Sequence, residues 1–226
     1  MRSPLDPAPG IEPPTSNPPA GAALGLRVHS GWAVLAAVAG PLAAPTVLER
    51  RRIELADRTV PGGVQPFHAA RLLPLEEARR LVGQSLEGAT RLARGALAAA
   101  AAELRPRGTE VIACGLIQSS ARSLPELGAV LASHALVHTA EGELFRDALA
   151  AAAADLGLPV LRIKERDLLD RCAAKLAVAT GAACDVERRL ADLGRTLGPP
   201  WRQDEKLATV AAWLALAERS AAPASG

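Results

Sequence analysis

Three side chains able to bind a metal or move a proton stand close together in one run, Ser133-His-Ala-Leu-Val-His-Thr-Ala-Glu-Gly-Glu143. At about 100° per residue, His134, His138 and Glu141 fall on a single helical stripe with Leu127, Leu131 and Phe145. Two imidazoles and a carboxylate therefore interrupt a face whose ends are apolar. Burying polar groups there is costly without partners, so the interruption marks a pocket or a satisfied hydrogen-bond network. Imidazoles at i and i+4 with a carboxylate at i+7 can hold one divalent transition metal, Zn²⁺ or Mn²⁺ rather than Ca²⁺. The same three residues are equally able to form a metal-free network, and no HExxH motif decides between the two.

A second acid, Asp204, shares a helical face with Leu207, Ala211 and Leu214, which directs it toward a sheet. It is placed either for catalysis or for capping, since a carboxylate near a helix N-terminus is favoured by the dipole. Arg27 and His29 flank the turn Ser30-Gly31, and Gln118-Ser119 closes a long apolar run. An Arg and a hydroxyl in a tight turn suit an anion such as phosphate. Ser119-Ser120 lacks the GxSxG elbow of a nucleophilic serine.

The elements that must position these groups follow from changes in hydrophobic period. Ala22 to Val28 and Trp32 to Val38 read as a hairpin with Gly31 in its turn, and Thr46 to Leu55 as a third strand. Pro74 to Leu104 predicts a long helix, and the near-continuous apolar run Thr109 to Ile117 a central strand covered on both faces. Leu124 to Leu156 predicts a second long helix ended by Gly157, and Pro159 to Ile163 a short buried strand. Two small helices, about Glu165 to Leu176 and Asp185 to Leu197, precede a final helix from Trp201 to Glu218. The order βββαβαβα predicts an α/β fold, a mixed five-stranded sheet with helices on both faces.

Residues 1–21 carry seven of the 18 prolines without apolar periodicity and are expected to form a disordered leader. One domain is expected over residues 22–219, with a small-helix insertion at 164–200 and a flexible tail at 220–226. The 226 residues are 49% hydrophobic with a formal charge of +2, which excludes a nucleic-acid-coating protein driven by its overall field. With 2% aromatics and no Tyr, base-stacking platforms are excluded as well. Cys114, Cys172 and Cys184 form no CxxC pair and no disulfide framework, which implies a reducing, cytoplasmic setting. No apolar run reaches the roughly 18 residues of a membrane span. Arg50-Arg51-Arg52 is expected to protect an edge strand, Trp201 to anchor, Trp213 to fill core, and His68 to be a surface or loop residue.

The element order, with the opening Gly25-Leu-Arg-Val-His-Ser-Gly-Trp-Ala33 and the late Asp204-Glu-Lys-Leu-Ala208, resembles the RNase H-like superfamily, in particular Holliday-junction resolvases of the RuvC type. The resemblance implies a first-strand Asp, an acid after the fourth strand and an acid on the last helix, together holding Mg²⁺. Here Arg27 stands at the first position and Gln118-Ser119-Ser120 at the second, and Asp204 or Glu205 matches the third. Two-metal chemistry needs several carboxylates around cations about 4 Å apart, so the ordinary nuclease site looks broken. The resemblance also brings Arg27, His29, Gln118, Ser119, His134, His138, Glu141 and Asp204 to one cleft. The expected function is a non-catalytic module binding nucleic acid, a phosphate-bearing ligand or another partner. The alternative is a metal-dependent nuclease or phosphodiesterase in which His134, His138, Glu141 and Asp204 supply a relocated site for Mg²⁺, Mn²⁺ or Zn²⁺.

Overall fold

The computed structural model describes residues 20–118 and 123–220. The strands are β1 Ala20–His29, β2 Trp32–Ala39, β3 Thr46–Glu54, β4 Thr109–Gln118 and β5 Val160–Lys164, in the sheet order β3-β2-β1-β4-β5. The first three pair antiparallel, whereas β4 lies parallel to β1 and β5 parallel to β4. This is the RNase H-like arrangement that the order of elements predicts. The β1–β2 turn is tight because Gly31 takes a positive φ of 81°, and its carbonyl accepts from the amides of Leu55 and Ala56. His29 and Trp32 are thereby brought face to face across the hairpin.

Seven helices are present among the described residues: α1 Pro66–Ala70, α2 Leu75–Leu104, α3 Leu127–Ala132, α4 His134–Asp155, α5 Leu168–Thr180, α6 Val186–Leu197 and α7 Gln203–Ser220. Alternation along β1 divides the core. Leu24, Leu26 and Val28 face α2 and α4 with Leu97, Phe145 and Leu149, while Ala23 faces α5, α6 and α7 with Leu168, Val210 and Trp213. No described helix is long and apolar enough to cross a membrane.

The seating of α7 on the sheet depends on two missing side chains. A Cβ at Gly25 would lie 1.9 Å from the carbonyl oxygen of Ala208, and one at Gly115 2.1 Å from that of Ala211. Glycine on adjacent strands, facing alanines on the helix, lets the backbones meet without a side-chain layer between them. Trp213, fully buried as its apolar surroundings require, donates its indole N–H to the carbonyl of Leu42 at 3.1 Å. Trp201 anchors the turn before α7 by donating to Leu190 O at 3.0 Å.

The helix expected over Leu124 to Leu156 is two helices. Ser133 leaves the helical region at φ −117° and ψ 117°, and its hydroxyl accepts from Leu136 N as the cap of α4. The stripe read through residues 127, 131 and 134 therefore stops at Ser133, and Leu127 and Leu131 belong to a separate helix. The segment around His68 is also helical, since Pro66 opens the short α1 at a first-turn position. β3 is an edge strand as expected, but its arginines do more than carry charge. Arg50 donates to the carbonyls of Leu197, Gly198 and Pro200, holding the link between α6 and α7 to the sheet.

Candidate functional site

Beyond the carboxyl ends of β1 and β4 lies a cleft of about 450 Å³ lined by Arg27, His29, Ser30, His138, Arg146 and Glu165, among others. Strand alternation places Arg27 and His29 on the α7 side, where Asp204 begins the final helix. His29 Nε2 lies 3.0 Å from Asp204 Oδ2, and Arg27 Nε lies 3.7 Å from Asp204 Oδ1, both close contacts without hydrogen-bond alignment. The other end of the Arg27 guanidinium reaches Glu165 at 3.0 Å. Thus one cation bridges two carboxylates from different elements.

Arg146 adds a second cation from α4. Its side chain is 7% exposed, its Nε donates to the carbonyl of Ile117 at 3.2 Å, and its Nη1 donates to Glu143 at 3.2 Å. Burial, opposed by Glu143, holds the Arg146 pKa below its ordinary value. Next to the cleft, Trp32 is covered on both faces. The His29 ring stacks on it at 4.1 Å, and the Arg52 guanidinium lies over it at 4.1 Å. It therefore offers no free face for a base.

A second constellation joins α1 to α4. His134 Nε2 and His138 Nε2 are 3.0 Å apart, and His68 brings a third ring so that one ligating atom from each lies within 4.8 Å of the others. Glu141 is the group behind them. Its side chain is 3% exposed, and Oε1 accepts from the His68 backbone N–H and contacts His68 Nδ1, both at 2.9 Å. Its Oε2 is buried without a hydrogen-bond partner among the described residues. The loop before α1 is held in turn by Asp57, whose carboxylate accepts from Thr59 N and Oγ1 and pairs with Arg91 of α2.

Of the residues singled out from the sequence, Arg27, His29 and His138 line the cleft with Asp204 in contact with the first two, and His134 lies against His138. Gln118 ends β4 in register with Lys164, and Ser119 lies outside the described residues. Glu141 does not join the two histidines as a third ligating group, because its carboxylate is engaged by His68. Three members were missed. His68, expected at the surface or in a loop, becomes half-buried once α1 packs on α4. Arg146 and Glu165 stand in no motif of their own in the sequence, and only the packing of α4 and of the segment after β5 brings them to the cleft. Thiol chemistry is not offered at the buried cysteines, since burial pushes Cys114 and Cys172 up to about 12.

The residues at the cleft do not fit the two-cation centre implied by the sequence resemblance. Asp204 and Glu165 are both already in contact with the Arg27 guanidinium, and no third carboxylate stands at the first-strand position. No family model matches the chain, and no curated protein matches it. Among solved structures it is similar to RuvC of T. thermophilus in complex with a Holliday junction substrate, at 13% identity over 88% of this chain and 95% of that one, with a TM-score of 0.48. A second Thermus thermophilus RuvC structure gives 14% identity, the same 88% and 95% coverage, and a TM-score of 0.45. A Ppx/GppA family member from Aquifex aeolicus gives 11% identity over 70% of this chain and 40% of that one, with a TM-score of 0.35. The fold assignment rests on the strand order and pairing described above.

Proposed function

We propose that this domain is a non-catalytic binding module, an RNase H-like framework whose cleft receives the phosphate backbone of a nucleic acid without cleaving it. The observation that carries this reading is the ion bridge from Arg27 to Glu165 and Asp204. A guanidinium at the first-strand position removes a metal-binding carboxylate and supplies a forked donor suited to phosphate oxygens. Arg146, held rigid by Ile117 O and Glu143, presents a second cation at the same cleft. Binding requires Arg27 to exchange carboxylate partners for phosphate, which makes affinity modest and strongly dependent on salt.

Fluorescence anisotropy with single-stranded and four-way-junction DNA, with a parallel cleavage assay in Mg²⁺ or Mn²⁺, tests the proposal. The expected result is salt-sensitive binding weakened by Arg27→Ala, with no cleavage. Metal-dependent cleavage would overturn the non-catalytic reading. Absence of DNA binding at low salt would overturn the nucleic-acid assignment. The alternative, a metal-dependent nuclease or phosphodiesterase built on His134, His138, Glu141 and Asp204, has less to support it, because Asp204 is engaged with His29 and Glu141 with His68.

A further inference from the structure

We infer that His68, His134 and His138 form a Zn²⁺ site in which Glu141 orients His68. It shares His138 with the lining of the charge-bridged cleft, yet holds whether or not that cleft binds nucleic acid. Three ligating atoms from α1 and α4 lie within 4.8 Å of one another, and the His134 and His138 Nε2 atoms are 3.0 Å apart. Tetrahedral zinc with metal–nitrogen bonds of about 2.0–2.1 Å requires ligand nitrogens about 3.3 Å apart, so small ring rotations bring the pair to distance. The pair spans one turn of α4, which fixes its relative placement through the backbone.

The carboxylate is the second, independent observation. Glu141 Oε1 contacts His68 Nδ1 at 2.9 Å, which leaves His68 Nε2 as the nitrogen free to ligate. A carboxylate accepting from one ring nitrogen while the other binds metal is the usual support of a zinc-bound histidine, since it sets the tautomer and orientation and raises ligand basicity. Glu141 is buried with Oε2 unpartnered, a costly placement for a charge unless a cation is near. A metal held by His68 supplies that cation through the ring. His134 and His138 are exposed, so the fourth coordination position opens to solvent and is filled by water. The N-terminal end of α4 disfavours a cation there, an effect that is small against three metal–nitrogen bonds and is countered by Glu141.

The test is calorimetric titration of the chelator-stripped full chain with ZnCl₂, with Co²⁺ absorption as a readout of coordination geometry. The expected result is one Zn²⁺ per chain with sub-micromolar affinity and a tetrahedral Co²⁺ spectrum. His138→Ala, at an exposed position that folding tolerates, should abolish binding. Glu141→Gln should weaken it about 10–100-fold while keeping the same stoichiometry. His68→Ala should remove the tetrahedral spectrum. Binding no tighter than about 100 µM, or binding unchanged by His68→Ala in a protein of native circular dichroism, would overturn the site and leave the three rings as a hydrogen-bonded packing cluster.

Discussion

The two sides of the sheet's carboxyl end partner their polar groups in opposite ways. On the α7 side, Asp204 and Glu165 are met by Arg27 and His29, so each charge has a protein partner. On the α4 side, one buried carboxylate holds one imidazole, and two further imidazoles contact each other and that first ring. The difference lies in lone pairs. Carboxylates already in contact with a guanidinium gain less from a further cation, whereas imidazole nitrogens facing one another can both be satisfied by one.

The comparison breaks most severely at Gly115. Gly115→Ala would push a methyl group into Ala211 O and lift α7 from the sheet, at an expected cost of about 3 kcal/mol in urea unfolding. Because Asp204 rides on α7 and the histidines do not, the substituted protein should lose its Asp204 contacts yet keep its Zn²⁺ stoichiometry under folding conditions.

Glu141→Ala tests the other side. It strips the His68 amide and ring of their acceptor and should cost about 2 kcal/mol by chemical denaturation, with the α7 side unaltered. Arg27→Ala should cost less, about 1 kcal/mol, because the bridge is partly exposed and screened. The exchange Arg27→Asp sharpens the contrast further: a third carboxylate beside Asp204 and Glu165 should create Mg²⁺ or Mn²⁺ binding measurable by calorimetry, absent from the parent protein.

The smallest effect concerns the loop that carries α1. Hydrogen bonds from Thr59, aided by Arg91, hold the Asp57 carboxyl below the ordinary aspartate value of 3.8. A carboxyl whose pKa is lowered by folding contributes stability that is complete above 3.8 and fades as pH falls through the lowered value. Unfolding curves of wild type and Asp57→Asn should therefore differ at neutral pH and converge in that acid range.

Much of the architecture was legible because it rests on short-range rules. Alternation along Trp32 to Val38, the apolar run Thr109 to Ile117 and the prolines and glycines between them specify strands and helices with little help from distant residues. Ser133 was the local signal passed over: a serine inside a helical pattern competes for the backbone and here caps a new helix. The site was legible only in part. His134 and His138 are neighbours by helical spacing, and Asp204 was directed to the sheet by its apolar companions. His68 is 66 residues from His134 in the chain, and nothing in Pro-Phe-His indicates that α1 will pack against α4.

By itself, then, the sequence determined the order of the elements, the sheet's mixed character and a cation at position 27 of the first strand, since each depends on residue type and local period. Tertiary structure alone decided which partners the charges take. Whether Arg27 meets Glu165, and whether Glu141 faces two histidines of its own helix or a third from another, depends on how close α1, α7 and the strand ends approach. That approach is set by the glycines at 25 and 115 and by the packing of α1 on α4, distances that no one-dimensional pattern contains.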